Sequence, residues 1–185
     1  MRVSRSAMQT LKRTVALVGM MGAGKSSVGR RLAAKLGVPF RDADSEIEAA
    51  AGCSIAEIFE RFGEVNFRDG ERRVIARLLA EPAHILATGG GAFIDPATRA
   101  RIKAEALSVW MRVPVDVLVA RVQRRETRPL LRQGDPREIL ENLLAQRAPL
   151  YAEADLTVDS ADGPHATAVD RIVAALIARG LLEGP

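Results

Sequence analysis

Short apolar runs alternate with longer amphipathic segments along the chain. Five of these runs are rich in Val, Leu, Ile and Ala, end close to a Gly, Asp or Pro, and predict strands over 14–18, 38–41, 83–87, 107–112 and 155–158. Apolar positions at helical spacing predict helices over 25–36, 44–51, 54–62, 64–79, 96–106, 114–124, 136–151 and 164–179. Strands that alternate with helices are typical of a parallel sheet, so the sequence predicts an α/β fold.

The composition suits one domain of this class. The chain has 185 residues, of which 48% are hydrophobic and only 4% aromatic. That is enough for one compact core and too little for two ordinary domains, and an aliphatic core suits helices packed on a sheet. We expect a basic N-terminal tail over 1–12 and a single domain over 13–185.

Cysteine content and charge exclude several classes of function. Cys53 is the only cysteine, which excludes an internal disulfide and a cysteine-based zinc cluster, and we expect a cytoplasmic protein. No apolar run reaches about 18 residues, so we expect no membrane segment. Lys and Arg number 27 against 23 Asp and Glu, but they are scattered without interleaved aromatics, so we expect no nucleic-acid partner. The net charge of +4 is compatible with an anionic small substrate.

The segment after the first predicted strand matches a phosphate-binding loop. Gly19 to Ser26 fits the pattern G-x-x-x-x-G-K-[ST] and opens a predicted helix. In such a loop the backbone N–H groups turn toward one anion, the lysine reaches the β and γ phosphates, and the hydroxyl offers a ligand to Mg²⁺. The residues expected to contact the nucleotide are Gly22, Ala23, Gly24, Lys25, Ser26 and Ser27. The pattern indicates a nucleotide but no particular reaction, because GTPases, motor ATPases and small-molecule kinases share it.

Two carboxylates follow the second predicted strand. Asp42 and Asp44 are two residues apart, and an extended chain would place both on one face at the rim of the sheet. Phosphoryl transfer needs one carboxylate that organises a metal ion and one that orients or deprotonates the attacking hydroxyl, and this pair suits both tasks. The alternative is that Asp44 only caps the helix that follows.

Two further segments each allow two interpretations. Arg68 and Glu71 are three residues apart in a predicted helix, where they form either a surface ion pair or an arginine that Glu71 orients to grip a carboxylate. Gly89, Gly90 and Gly91 follow the third predicted strand, where they indicate either a tight bend or a close approach to a ligand.

Three arginines flank a segment around Gly134. Arg121, Arg128 and Arg147 suit a lid that closes over phosphates, although each alone also suits a solvated helix face.

Taken in order, these segments resemble the shikimate kinase family from about Leu17 to Tyr151. The motifs are Gly-x-x-Gly-x-Gly-Lys-Ser, Asp-x-Asp, Phe-Arg-x-x-Glu, Gly-Gly-Gly, Arg-Pro-Leu-Leu and Arg-Ala-Pro-Leu-Tyr. The phosphate loop alone is widely shared, whereas the other five motifs in this order are specific to that family. The resemblance implies a P-loop fold like that of nucleoside monophosphate kinases, with a five-stranded parallel sheet. It also implies transfer of the γ-phosphoryl group of ATP to the 3-hydroxyl of shikimate, with Mg²⁺, in aromatic amino acid biosynthesis.

The resemblance further implies roles for individual residues. Lys25, Asp44 and Arg128 would be catalytic: Asp44 would hold and activate the 3-hydroxyl, and Arg128 would neutralise the transferring phosphoryl group. Ser26 and Asp42 would organise Mg²⁺.

The substrate-binding region implied by the resemblance covers about 42–72, and the lid covers about 125–136. Arg68 and Arg147 would bind the shikimate carboxylate. The remaining contacts would come from Gly89, Gly90 and Gly91 to shikimate, and from Arg121 and Arg128 to ATP. We expect a monomer whose only partners are ATP and shikimate.

Two other functions fit the phosphate loop. The first is another small-molecule kinase of the same fold, such as a gluconate or nucleoside monophosphate kinase. The second is a nucleotide-dependent regulatory switch that binds nucleic acid, for which turnover would need no acceptor and binding would depend steeply on salt.

Overall fold

The computed structural model describes residues 10–124, 134–160 and 163–183. Within these ranges the strands are β1 (Thr10–Leu11), β2 (Thr14–Val18), β3 (Phe40–Asp42), β4 (Ile85–Ala87), β5 (Ala106–Arg112), β6 (Leu156–Asp159) and β7 (Leu182–Glu183). The helices are α1 (Lys25–Leu36), α2 (Ala43–Ala51), α3 (Ile55–Leu79), α4 (Pro96–Glu105), α5 (Val115–Gln123), α6 (Pro136–Tyr151) and α7 (His165–Ala178).

The main sheet contains five parallel strands in the order β3-β4-β2-β5-β6. β2 lies at its centre, and every residue of β2 is buried. The carboxyl ends of parallel strands meet at one edge, so the segments after β2, β3 and β4 lie together there. The predicted α/β fold with five parallel strands is confirmed, and each predicted strand overlaps an observed one.

Helices flank this sheet and complete the core. α1 contacts β3 and β4 and packs beside α7, whereas α3 packs beside α4, which contacts β5. Pro96 and Pro136 begin α4 and α6, where a missing N–H leaves no hydrogen bond unmade. Pro114 and Pro164 lie one position earlier than predicted, as the N-caps of α5 and α7.

Two predicted helices, over 54–62 and 64–79, form the single helix α3 with a kink at Gly63. The backbone of Gly63 has φ 78° and ψ 173°, which is not helical and which favours glycine. Ser54 begins α3 as its N-cap and forms a reciprocal capping box with Glu57. The segment after the kink contains Arg68 and Glu71.

The expected N-terminal tail over 1–12 is too long at its inner end. Thr10 and Leu11 form β1, which pairs antiparallel with β7. Leu11 is 6% exposed and lies opposite Leu182. A strand of two residues is too short to show a period of hydrophobicity, so the sequence pattern contained no signal for it.

In the three described ranges, no helix is long and apolar enough to cross a membrane.

Candidate active site

The phosphate loop joins the centre of the sheet to the start of α1. Gly24 is the N-cap of this helix and has a left-handed backbone conformation (φ 87°, ψ 19°). Residues with a β-carbon rarely adopt this conformation. No described side chain caps the helix. The first N–H groups of any helix have no acceptor within the helix, and a helix start of this kind attracts an anion.

Lys25 packs inside this loop. It is 8% exposed, and its Nζ donates to the backbone carbonyls of Gly19 and Met20 at 2.7 Å each. The Ala23 N–H also donates to the Met20 carbonyl, at 3.2 Å, so the loop is closed upon itself. The structure thus brings the predicted ammonium group to the centre of the anion-binding loop.

Ser26 and Asp42 lie side by side where the loop meets β3. Ser26 Oγ donates to Asp42 Oδ2 at 2.6 Å. Hydroxyl and carboxylate oxygens are ligands that Mg²⁺ prefers, and Mg²⁺ is usually held by one or two carboxylates together with substrate phosphates. This pair therefore fits the implied metal. The described ranges contain no cluster of three or more His, Cys, Asp and Glu side chains that would form a separate protein cage.

The prediction that an extended chain contains both Asp42 and Asp44 is wrong. β3 ends at Asp42, which is the N-cap of α2, and Asp42 Oδ1 accepts from the Asp44 and Ser45 N–H groups at 3.1 and 3.2 Å. Because Asp42 caps the helix, Asp44 lies in the first helical turn and the alternative role of Asp44 as the cap is also excluded. Asp44 still faces the sheet edge: a β-carbon on Gly89 would lie 2.8 Å from its Oδ1.

The three glycines after β4 leave room for side chains of the site itself. None of Gly89, Gly90 and Gly91 has positive φ, so a left-handed bend does not explain them. A β-carbon on Gly89 would meet Asp44, and a β-carbon on Gly91 would collide with the guanidinium of Arg68. The segment forms a tight turn, because the Ala92 N–H donates to the Gly89 carbonyl at 3.2 Å, and side chains of this chain also approach it closely. Approach of the segment to a ligand stays a prediction.

Arg68 is held by a buried carboxylate. Its Nη1 donates to Glu71 Oε1 at 2.7 Å, and the Glu71 side chain is only 1% exposed. Burial raises the pKa of Glu71, against the opposing effect of Arg68, and the nearby Asp44 and Asp95 add to the rise. Arg68 also contacts the face of the Phe67 ring, at 5.1 Å from its centroid. The interpretation of a mere surface pair is therefore wrong, because one partner is buried.

Arg68 and Arg147 line the same cavity, although they are far apart in the sequence. The cavity has a volume of about 230 Å³ and is lined by Glu64, Arg68, Gly91, Ile94, Asp95 and Arg147. The sequence analysis named none of Glu64, Ile94 and Asp95 individually, although Glu64 lies within the predicted substrate-binding region over 42–72. Asp95 precedes a proline and a helix, which is a recognisable N-cap signal, and its Oδ1 accepts from the Thr98 N–H at 2.9 Å.

Of the two arginines predicted to contact ATP, Arg121 belongs to the described residues and Arg128 does not. Arg121 Nη1 donates to the Gly22 carbonyl at 3.2 Å, so it lies against the phosphate loop. His165, which the sequence analysis did not assign, lies beside it, with Cε1 3.4 Å from the position of a β-carbon on Gly24. Arg128 and most of the predicted lid over 125–136 lie outside the described residues.

A phosphate loop and a separate arginine-lined cavity at one edge of a parallel sheet define a P-loop phosphotransferase with a small anionic acceptor. Comparison with known proteins specifies the family. A model of the family described as shikimate kinase matches residues 21–177. The chain belongs to the shikimate kinase family, and it is an ATP-dependent kinase.

Relatives of known name agree with this assignment. Shikimate kinase of Caulobacter vibrioides is 59% identical over 164 residues, which cover 89% of this chain and 82% of the relative. Shikimate kinase of Paramagnetospirillum magneticum is also 59% identical, over 89% of this chain and 85% of the relative. Neither the nucleic-acid switch nor a kinase for another acceptor is supported at this level of identity.

Solved structures agree as well. Shikimate kinase from Acinetobacter baumannii in complex with shikimate superposes with a TM-score of 0.87 at 39% identity, covering 90% of this chain and 94% of the other. Shikimate kinase from Bacteroides thetaiotaomicron gives a TM-score of 0.82 at 29% identity, over 89% of this chain and 98% of the other. A sugar kinase from Janibacter, at 18% identity and a TM-score of 0.59, shares the fold alone.

Proposed function

We propose that this chain transfers the γ-phosphoryl group of ATP to the 3-hydroxyl of shikimate by means of three groups of residues around one edge of the sheet. The observation that carries the proposal is that Arg68 and Arg147 line one cavity beside Gly91. Two guanidinium groups in one cavity suit a carboxylate. Gly89 is two residues before Gly91 in the same segment, and Asp44 lies beside Gly89. A hydroxyl of the same acceptor is therefore within reach of Asp44.

The nucleotide occupies the phosphate loop. The N–H groups at the start of α1 bind its phosphates, and Lys25 stabilises the charge that grows on the bridging and γ oxygens during transfer. Arg121 lies against adenine, which its bond to the Gly22 carbonyl supports. Arg128 neutralises the transferring group from the predicted lid. Gly22, Ala23, Gly24, Lys25, Ser26 and Ser27 complete the binding set.

Ser26 and Asp42 would hold Mg²⁺. Their oxygens are 2.6 Å apart and belong to two elements that meet at the loop, which supports a joint role. When bound, ATP supplies the phosphoryl group and Mg²⁺ neutralises charge on the phosphate oxygens.

The acceptor is held at both ends. Arg68 and Arg147 bind its carboxylate, and the buried Glu71 keeps the guanidinium of Arg68 in place. The backbone of Gly89, Gly90 and Gly91 forms the wall against which its ring lies. Asp44 receives the 3-hydroxyl.

Asp44 is the proton acceptor of the reaction. The 3-hydroxyl oxygen forms the new bond to the γ-phosphorus while the bond between that phosphorus and the β–γ bridging oxygen breaks, and ADP leaves. The hydroxyl proton goes to a carboxylate oxygen of Asp44, so that charge and atoms balance.

Arginine substitutions test this division of roles. Arg68→Ala or Arg147→Ala removes charge-assisted hydrogen bonds of about 1.5–3 kcal/mol each and should raise the KM for shikimate about tenfold to a hundredfold. The KM for ATP should change less than about threefold, since the phosphate loop is untouched. Arg73→Ala is the matched control, because Arg73 is exposed on the same helix and its Nε donates to the Asp69 carbonyl of that helix at 3.3 Å.

A neutral analogue of the acceptor supplies the cross-check. Shikimate with its carboxylate replaced by a carboxamide should be a poor substrate for the wild type, whereas the two arginine variants should discriminate against it much less. Equal use of both acceptors by the wild type would refute the carboxylate clamp.

The protein acts as a cytoplasmic monomer in this proposal. Residues of one chain supply the Ser26–Asp42 pair, the Arg68–Glu71 pair and the lining of the acceptor cavity, which is compatible with a monomer. Size-exclusion chromatography with light scattering would test this, and activity that falls on dilution below a measured dimerisation constant would contradict it.

A further inference from the structure

Tyr151 connects the last turn of α6 to both halves of the active site. It is the last residue of α6 and is 0% exposed. Its hydroxyl donates to the Gly90 carbonyl at 2.5 Å and lies 3.9 Å from Met20 Sδ in the phosphate loop. Its ring packs on Trp110 of β5, with centroids 5.8 Å apart. A side chain that only filled the core would need no hydroxyl in this place.

The bond to Gly90 fixes the orientation of a particular peptide. The described chain has no cis peptide bonds, so the Gly90 carbonyl and the Gly91 N–H point to opposite sides of one planar group. Tyr151 holds the carbonyl from the buried side. The Gly91 N–H is thereby turned toward the opposite side, where Gly91 lines the acceptor cavity. Among the described residues this N–H has no hydrogen-bond acceptor, whereas the next amide, of Ala92, donates to the Gly89 carbonyl.

The same helix also presents Arg147 to this cavity. Arg147 precedes Tyr151 by one helical turn, and its Nη1 lies 3.5 Å from the position of a β-carbon on Gly90. Burial raises the pKa of the Tyr151 phenol, against the opposing effects of the neighbouring Arg147 and of Arg68, so the hydroxyl keeps its proton and acts as the donor to Gly90. One short stretch of α6 therefore sets both an arginine and a backbone donor against the acceptor.

We propose that Tyr151 is a positioning residue for the acceptor, whose hydroxyl locks the Gly90–Gly91 peptide so that the Gly91 N–H donates to shikimate. This inference rests on the proposed function, which assigns the cavity to shikimate. Without the hydroxyl, the peptide can rotate to hydrogen-bond with water, and the N–H then no longer meets the acceptor in a fixed direction. The loss falls on acceptor binding, because the nucleotide contacts other backbone groups.

Tyr151→Phe removes the hydroxyl and keeps the ring. We expect the dissociation constant of shikimate, measured by titration calorimetry, and its KM to rise about fivefold to tenfold, as for the loss of one hydrogen bond. The KM for ATP and kcat should stay within about twofold. A KM for shikimate within about twofold of wild type, or equal rises for both substrates, would overturn the proposal.

Two further variants separate this role from stability and from the proposed function. Leu140→Val, which trims a buried residue of the same helix, should lower Tm while leaving shikimate binding unchanged. If Leu140→Val weakens shikimate as much as Tyr151→Phe, the effect is structural and the proposal falls. Arg68→Ala serves as the marker: if it fails to weaken shikimate binding, the proposed function fails, whereas weakening by Arg68→Ala alone refutes only the role of Tyr151.

The chain offers a second measurement that needs no substitution. Tyr151 is its only tyrosine, so growth with 3-fluorotyrosine labels this position alone. We expect its single ¹⁹F resonance to shift when shikimate is added, because the acceptor engages the peptide that the hydroxyl holds. A resonance that shikimate does not move would overturn the proposal, even if Tyr151→Phe fails to fold.

Discussion

The phosphate loop and the acceptor cavity lie at the same edge of the sheet, but they are constructed differently. The loop is one continuous stretch, 19–27, in which backbone N–H groups and a single lysine surround an anion site. The cavity is formed by side chains from α3 and α6 and by the segment after β4. The first depends on a local chain conformation, whereas the second depends on how distant elements pack.

The two regions also differ in how their charged groups are held. Lys25 is held by carbonyls of its own loop, five and six residues away in the sequence. Arg68 is held by Glu71, which is itself almost fully buried and near Asp44. The acceptor side therefore contains more side chains whose loss disturbs a neighbour, so each substitution there needs a matched control.

The largest effect is expected in the phosphate loop. Lys25→Ala should lower kcat by about 10²-fold or more, because the lost charge acts on oxygens that become more negative in the transition state. Lys35→Ala is the control, since Lys35 lies on the same helix but is exposed and paired with Asp170. Steady-state ADP release would measure both, and wild-type turnover in Lys25→Ala would contradict the assigned role.

The next largest effect is expected at the carboxylate between the two regions. Asp44→Asn keeps size and polarity but cannot accept a proton, so kcat should fall by about 10²-fold while shikimate binds with an affinity close to that of wild type. Asp69→Asn on the exposed side of α3 should leave both unchanged. If Asp44→Asn raised KM and left kcat intact, Asp44 would be a binding group and not a proton acceptor.

This contrast also explains which features the sequence could predict. β2, β4 and β5 were recognisable because each is a short run that is almost entirely buried. The phosphate loop was recognisable because its motif residues are contiguous in the sequence. Arg68 and Arg147 could be brought together only by resemblance to a family. No rule of spacing relates positions on α3 and α6, whose proximity results from tertiary packing.

Local errors have local physical reasons. The chain was expected to stay extended from Asp42 to Asp44, but the side chain of Asp42 caps α2, so the strand ends at Asp42. Glu71 gave no sign of burial, because the residues on both sides of it over 68–73 are mostly charged. The cavity is also lined by Glu64, which follows the kink at Gly63, and by Ile94 and Asp95, which follow the glycine segment. Patterns of hydrophobicity do not encode the path of the chain at these two places.

A moderate effect is expected from alanine in the glycine segment, where the two positions should act differently. A β-carbon on Gly89 would lie 2.8 Å from Asp44 Oδ1, so Gly89→Ala should mainly lower kcat. A β-carbon on Gly91 would collide with Arg68, so Gly91→Ala should mainly raise the KM for shikimate. We expect changes of about tenfold in each case, since the displaced groups can shift without leaving the site.

Gly70→Ala is the matched control for this pair. Gly70 is on α3 next to Glu71, its φ is not positive, and a β-carbon there would have no neighbour within 4 Å. Kinetic constants should not change, and stability should stay the same or rise, because alanine favours a helix. If Gly89→Ala and Gly91→Ala lowered kcat equally and raised the KM for shikimate equally, the segment would act only as a bend.

The smallest effect is expected in the pH dependence of stability at Glu71. Burial raises the pKa of Glu71, so its protonated form is the one that folding favours. Its contribution to stability is therefore fully present below the pKa of the unfolded chain and is lost as pH rises through the folded pKa. We expect the Tm of the wild type to fall relative to the Tm of Glu71→Gln as the pH rises from about 4.

A carboxylate on the same helix should show the opposite sign. Hydrogen bonds from the backbone and side chain of Ser54 lower the pKa of Glu57, so its contribution is present above the unfolded pKa and is lost as pH falls. The difference in Tm between wild type and Glu57→Gln should therefore move in favour of the wild type as pH rises. Thermal unfolding of the three proteins at matched pH values measures both differences. If the Tm difference for Glu71→Gln moved in the same direction as that for Glu57→Gln, the effect of Arg68 on the pKa of Glu71 would outweigh the effect of burial. Folding would then favour the ionised form of Glu71 beside Arg68.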